Sequence, residues 1–407
     1  MDTPLHTGRS KRASLTLLLI SEVAAMSAWF ATTASLADLT ARAALSHFQQ
    51  ALLTSSVQAG FVAGTLASAL LVLADRFDTR RLFSISAFTA ALANLAMLAF
   101  EPASLAVPFL RFITGMCMAG VYPVGMKLAS SWAKGDLGLL IGLLVAALTI
   151  GSASPHAIAV FGGVGWQWPI AAAAFGCLAA SILILFAKTG PNVAPTQHFQ
   201  FDVALTALRD RSLRCANLGY FGHMWELYAM WAWIGVFLAA SFTERYGSTP
   251  PLDARFAAFL VVGVGALGAL GGGLLADRMG RTFVTIASML VSGSCAMLIG
   301  FTYGGPAALT LAVALLWGVT IVSDSAQFSA AVAELSNKCF VGTMLTVQTC
   351  IGYLITLASI HLMPYVVDAI GWHFAFSVLA VGPFLGAAAM AGLRRSPEAY
   401  VMAGGRR

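Results

Sequence analysis

The sequence predicts an all-α membrane protein, with twelve transmembrane helices in two pseudo-symmetric bundles of six. Three observations carry that expectation. First, 59% of the 407 residues are hydrophobic and only 10% are charged, and the mean hydropathy is +0.82. A soluble domain carries about a quarter charged residues. Second, the apolar residues fall into twelve runs long enough to cross about 30 Å of hydrocarbon. Third, the chain repeats itself at roughly half its length. Glu22 to Trp29 reads Glu-Val-Ala-Ala-Met-Ser-Ala-Trp, and Glu226 to Trp233 reads Glu-Leu-Tyr-Ala-Met-Trp-Ala-Trp. Leu73-Ala74-Asp75-Arg76 returns as Leu275-Ala276-Asp277-Arg278, and Gly165-Trp166 as Gly371-Trp372. One near-constant offset means duplication of a unit. Six helices per unit is an even number, so both halves enter the membrane from the same side.

The chain then divides in order. Residues 1–13 are a tail carrying Arg9, Lys11 and Arg12. That tail and the run after it resemble a secretory leader. The run is too long for one, contains Glu22 and is echoed later, so it is expected to be retained. The first half, 14–187, holds spans at about 14–39, 49–73, 82–100, 104–131, 137–161 and 167–187. Residues 188–212, with Pro191, Pro195, Asp202, Arg209 and Asp210, form a linker. Its Phe199–Leu208 segment is expected to form a short helix on the membrane surface. The second half, 213–393, holds spans at about 213–239, 253–276, 282–302, 306–332, 340–367 and 372–393. Residues 394–407 are a second tail. With both termini in the cytoplasm, only Arg42, Arg245 and Arg255 lie on the far side, and Arg111 and Lys127 fall inside helix 4. That asymmetry follows the positive-inside rule and suits a bacterial-type inner membrane.

Charged residues inside the spans are the candidates for function. A carboxylate at the bilayer centre costs roughly 2.5–3.5 kcal/mol. Glu22, Met26 and Trp29 share one helical face, as do Glu226, Met230 and Trp233. An acid removed from water is a candidate proton carrier, so Glu22 and Glu226 are expected to couple protons. His223 lies three residues before Glu226 and is expected to pair with it. Asp324, in helix 10, is a third candidate acid. Trp29 and Trp233 are expected to contact solute, whereas Trp225, Tyr228, Trp231 and Trp317 read as packing or interface anchors. Arg111 needs an acceptor in helix 4 and is expected to find a carboxylate, carbonyls or an anionic solute. Gln58 and Gln348 are expected polar walls of the same space.

The run Gly273-Leu274-Leu275-Ala276-Asp277-Arg278-Met279-Gly280-Arg281 resembles the G-x-L-A-D-R-x-G-R loop motif of the major facilitator superfamily. The first-half copy keeps Leu73-Ala74-Asp75-Arg76 and the basic pair Arg80–Arg81, with Leu71 and Asp78 in place of the two glycines. Arg111-Phe112-Ile113-Thr114-Gly115 resembles the superfamily's R-x-x-x-G motif. In helix 5, Gly142, Gly151 and Pro155 partly echo the drug/proton antiporters, without their Gly-Pro pair. The resemblance implies the major facilitator fold, with helices 1, 4, 7 and 10 lining a central space. It implies a secondary active, proton-coupled transporter working by alternating access. Asp75, Arg76, Asp277, Arg278 and Arg281 would latch the cytoplasmic side.

The expected solute is a small organic acid or similar anion, on the strength of Arg111. The alternative is proton-antiport efflux of drug-like amphipathic compounds, on the strength of the aromatic residues and acids. A transporter-derived sensor is a further alternative. No enzyme is expected, since H-E-x-x-H, G-x-S-x-G and the P-loop pattern are absent from the sequence. No cofactor, metal or nucleic-acid partner is expected. The six cysteines show no C-x-x-C spacing, and the basic residues are scattered among loops. The expected partners are solute, protons and the lipid bilayer, with the protein a monomer.

Overall fold

The computed structural model describes residues 4–134, 136–161, 165–192 and 199–406. Among these there is no strand. Ten helical stretches are long and apolar enough to cross a membrane, and they account for all the expected spans except the first and third.

Helix 1 runs Pro4–Met26 and resumes as Ala31–Ala34 and Leu36–Ala43. Helix 2 is His47–Leu71, helix 3 Thr79–Met97, helix 5 Leu137–Phe161 and helix 6 Gln167–Leu183. Helix 4 is Ala106–Met118 continued by Tyr122–Ser130. In the second half, helix 7 is Arg211–Tyr246, helix 9 Arg281–Leu298 and helix 11 Val341–Ile370. Helix 8 is Ala254–Gly263 plus Gly265–Met279, and helix 10 is Ala307–Ser323 plus Ser325–Leu335. Helix 12 starts at Trp372–Ala375 and continues as Val381–Arg394.

Short polar residues start several helices. Ser46 caps helix 2 in a reciprocal capping box with Gln49. Asp78 accepts from the N–H groups of Arg80 and Arg81 at the start of helix 3. The loop motif therefore serves its two turns differently. In the second half Gly280 takes φ +94° between helices 8 and 9, which suits glycine. In the first half Asp78 stands at that place and caps. The Arg80 guanidinium holds the Asp78 carboxyl below the usual carboxylate range.

Two expectations change here. Helix 1 is helical from Pro4, into the expected tail, and its chain turns at Ser27–Phe30 instead of running through to residue 39. The linker forms two single turns, Phe201–Ala204 and Thr206–Arg209, rather than one short helix, and its residues 193–198 lie outside the described residues.

The halves repeat the same packing. Helix 2 lies on helix 4, helix 3 on helix 6, and helix 1 on helices 5 and 6. Helix 8 lies on helix 10, helix 9 on helix 12, and helix 7 on helices 11 and 12. Across the seam, helix 2 meets helix 11, and helix 5 meets helix 8. Large apolar side chains such as Leu105, Phe109, Phe175 and Leu385 face outward, as a lipid solvent allows.

Glycine sets how closely these helices approach. A Cβ at Gly115 would lie 2.0 Å from the Val57 carbonyl oxygen, and one at Gly318 would lie 1.9 Å from that of Val261. These are equivalent contacts in the two halves, and the glycine of the R-x-x-x-G motif makes the first of them. Gly115→Ala is expected to destabilise by about 1–3 kcal/mol through overpacking, read as a lower melting temperature of the purified protein. An unchanged melting temperature would show that helices 2 and 4 separate freely.

Candidate functional site

Six rings from both halves meet at the seam. Trp29 and Phe30 sit at the turn in helix 1, and Phe61 comes from helix 2. Tyr228 and Trp231 come from helix 7 and Tyr353 from helix 11. Trp29 lies 5.1 Å from Phe61, 5.9 Å from Tyr228 and 5.8 Å from Tyr353, between ring centroids. Phe61 and Tyr353 are 4.5 Å apart, and Phe30 and Trp231 meet edge to face at 5.7 Å. The hydroxyls of Tyr228 and Tyr353 share a hydrogen bond of 2.6 Å. Such ring pairs are worth about 0.5–1.5 kcal/mol each beyond the area they bury.

Trp29, expected to contact solute, lies at the middle of these rings. Trp233 is not among these rings. Its indole N–H donates to the Ile360 carbonyl at 3.1 Å, within its own half. The duplicated octet diverges because helix 1 turns after Met26 while helix 7 runs on. Tyr228 and Trp231, expected to be anchors, are the ones that reach the seam. Aromatic density in Tyr228–Trp233 was the available signal, but it could not tell which rings face the other half.

The turn in helix 1 is held by Arg111, which is fully buried. Its Nε donates to the Leu53 carbonyl at 3.1 Å and Nη1 to the Ala28 carbonyl at 2.6 Å. Nη2 donates to the Trp29 carbonyl. Residues 28 and 29 lie where the helix ladder stops, so their carbonyls lack helical partners. Of the acceptors expected for Arg111, the structure selects carbonyls. The second half provides the contrast. Gly318 corresponds to Gly115, so the residue equivalent to Arg111 is Ala314, buried and small. Helix 7 there is continuous.

The acids separate into three environments. Glu22 is fully buried, and neither carboxyl oxygen has a hydrogen-bond partner among the described residues. A Cβ at Gly125 would come within 2.8 Å of its Oε2, so glycine in helix 4 makes room for it. Glu226 is held instead. Trp317 Nε1 donates to it at 2.8 Å and Ser292 Oγ at 3.0 Å. His223 does not pair with Glu226. Its Nδ1 lies 3.0 Å from Asp324 Oδ1, with both side chains 2% exposed, and its Nε2 lies 3.0 Å from Ser325 Oγ. Residues three apart on a helix diverge by about 60° around the axis, enough to set Glu226 between Ser292 of helix 9 and Trp317 of helix 10, and His223 against the interruption of helix 10 at Asp324 and Ser325. Asp324 interrupts helix 10, which brings its carboxyl to the imidazole.

Gln58 and Gln348 are both fully buried. Neither amide atom of Gln58 has a partner among the described residues. Gln348 accepts from Ser329 Oγ at 3.1 Å, while its Nε2 is unpaired among the described residues.

The loop-motif residues lie on the side of the chain termini. Asp75 forms an ion pair with Lys127 and lines a cavity of about 170 Å³ with Gly342 and Thr346, at the start of helix 11. In the matching place, Asp277 Oδ2 lies 3.6 Å from where a Cβ of Gly138 would stand, at the start of helix 5. Each aspartate thus faces the beginning of a helix in the other half. Arg281 ties its own half together instead, bound to Glu334 at 2.6 Å and to Gln327 at 2.8 Å. Arg76 and Arg278 are exposed. On the opposite side, His361 Nε2 meets Ser55 Oγ at 2.8 Å and His47 Nδ1 meets Asp368 Oδ2 at 3.1 Å, both across the seam.

Two pseudo-symmetric six-helix bundles that meet at a seam of buried aromatic rings define a polytopic membrane protein. A family model described as Major Facilitator Superfamily matches residues 18–323, about three quarters of the chain. The chain belongs to the major facilitator superfamily, and it is a membrane transporter rather than an enzyme. Its activity is secondary active transport of a small solute. Among solved structures, the major facilitator proton:xylose symporter XylE bound to 6-bromo-6-deoxy-D-glucose superposes with a TM-score of 0.70. The match covers 95% of this chain and 96% of that one at 12% identity, a likeness of fold. No curated protein sequence matches.

Proposed function

We propose that the protein couples solute movement to protons, with the His223–Asp324 pair and Glu22 as the proton sites. The observation that carries this is the His223–Asp324 contact, buried at an interruption of helix 10. His223 lies five residues before Tyr228, about 7.5 Å along helix 7. Titratable groups inside a span are costly and face pathways, and here an imidazole and a carboxyl sit beside the seam. Glu226, fixed by two donors inside the second half, serves structure in this reading.

The solute is amphipathic rather than anionic. The organic-acid expectation rested on Arg111, whose guanidinium is committed to backbone carbonyls. The six rings favour the amphipathic alternative. The membrane is the inner membrane, with both termini cytoplasmic, as the placement of Lys and Arg supports. The test is solute-driven pH change inside proteoliposomes loaded with a pH-sensitive dye. A coupled carrier moves the signal with the solute gradient. Solute flux without a pH signal would refute coupling.

Asp75 and Asp277 act as latches in this proposal, each facing the start of a helix in the opposite half. A carboxylate near a helix N-terminus contributes about 0.3–1 kcal/mol. Asp277→Asn is therefore expected to raise the population open to the cytoplasm about two- to fivefold. Cysteine accessibility measured from the two sides of the membrane reads that shift, and identical labelling in the variant would remove the latch role.

A further inference from the structure

The centre holds donors from which no described residue accepts. Trp29 and Trp231 are each 1% exposed, and neither indole N–H has a partner among the described residues. Gln58, one turn before Phe61 in helix 2, and Nε2 of Gln348, five residues before Tyr353 in helix 11, are in the same condition. Native proteins leave few buried polar groups unsatisfied, and each is costly. Here Trp29 and Trp231 are themselves among the rings that link the two halves, and Gln58 stands one turn from a third.

We infer that the transported solute is a planar, π-rich, uncharged molecule carrying hydrogen-bond acceptors, such as ring nitrogens or a carbonyl. The inference rests on reading the aromatic centre as the solute site, and it narrows the amphipathic class to one chemistry. Three arguments converge on it. An anion would need a cation, and the buried Arg111 donates to the Leu53, Ala28 and Trp29 carbonyls. A permanent cation would be drawn to the ring faces, but it would leave the two indole N–H groups and the two amides without an acceptor. A polyol brings one donor with nearly every oxygen, whereas the idle atoms of Trp29, Trp231, Gln58 and Gln348 are four donor nitrogens and a single amide oxygen, that of Gln58; the two idle Glu22 oxygens belong to the proton site in this reading. A solute with more acceptor than donor sites, such as a ring nitrogen beside a carboxamide, matches that balance better than a polyol does. Its flat face also takes the place of Tyr228 and Tyr353 against Trp29 and Phe61 when the two halves part. An aliphatic chain would return less, because ring pairs gain from their quadrupoles as well as from burial.

The test is isothermal titration of the purified full-length protein in detergent. Nicotinamide, nicotinate and N1-methylnicotinamide share one ring and differ in charge, and D-xylose serves as the polyol. Nicotinamide is expected to bind at least about tenfold more tightly than the other three, a difference of about 1.4 kcal/mol. Trp231→Phe keeps a ring and removes the N–H, so it should weaken nicotinamide about tenfold. Gln58→Met, of similar size, gives a second reading if Trp231→Phe fails to fold. Tighter binding of nicotinate, of the methylated cation or of xylose overturns the inference, as does failure of nicotinamide to bind. Nicotinamide binding that Trp231→Phe and Gln58→Met leave unchanged overturns it too, and removes the centre as the solute site. Equilibrium binding needs no gradient, so loss of the pH signal with binding intact would fault the coupling reading alone.

Discussion

Arg111→Met should remove a large part of the stability of the first half. The substitution keeps an apolar stem and takes away the donors to Ala28, Trp29 and Leu53. Each buried carbonyl left without a donor costs about 1–3 kcal/mol. The Leu53 carbonyl keeps Thr32 Oγ1 as a donor, so two carbonyls, those of Ala28 and Trp29, are stranded, at a cost that is a large part of the margin of about 5–15 kcal/mol that holds a native protein folded. One relief is open: the turn at Ser27–Phe30 can rewind, as the second half shows with Ala314 and an unbroken helix 7. Rewinding would swing Trp29 and Phe30 off the seam, so the centre is lost by either route. The expected results are a low yield of folded protein, a strongly reduced melting temperature and loss of nicotinamide binding. Arg111→Lys should recover little, since one ammonium cannot serve three carbonyls in a planar fork. If Arg111→Met melted like the parent and lost only affinity for solute, the guanidinium would belong to the solute after all.

Asp324→Asn should uncouple transport. A gradient of one pH unit is worth about 1.4 kcal/mol per proton, which sets a solute ratio of about tenfold for a one-proton carrier. In the variant that ratio should fall to one, while solute exchange across the membrane continues, because the six rings are untouched. His223→Gln should do the same, since the imidazole is the partner of that carboxyl. Glu226→Gln should keep most of the ratio. Its amide oxygen can still accept from Trp317 or Ser292, and no titratable group among the described residues lies in hydrogen-bond contact with it. Normal accumulation by Asp324→Asn, or loss of it in Glu226→Gln at equal expression and melting temperature, would return the coupling role to Glu226. The three variants share one fold and one assay, so misfolding is separated from uncoupling by the melting temperature.

The sequence by itself determined what periodicity, composition and repetition encode. Hydropathy located the spans because a bilayer forces every backbone group into a helix. The duplicated octet and the Leu-Ala-Asp-Arg repeats marked two halves. The run Gly273–Arg281 and the pair Arg111 and Gly115 resemble their family by residue identity and spacing alone. Glu22, Asp324, Trp29 and Gln58 could be singled out because polar and indole groups inside spans stand out against lipid.

What only the tertiary structure decided is which partner each of those groups meets. A helical face gives the direction of a side chain to within tens of degrees, and neighbouring helices stand on every side of it. His223 and Glu226 therefore looked like a pair and met different partners, Asp324 and Ser325 for the one, Trp317 and Ser292 for the other. The turn at Ser27–Phe30 was invisible because no glycine or proline marks it; the donors that stabilise it come from Arg111, more than eighty residues away. That remote contact, together with Ala24 and Ser27 standing where the second octet has Tyr228 and Trp231, made the two octets unequal. One presents Trp29 to the other half, and the other turns Trp233 onto Ile360 and leaves the seam to Tyr228 and Trp231.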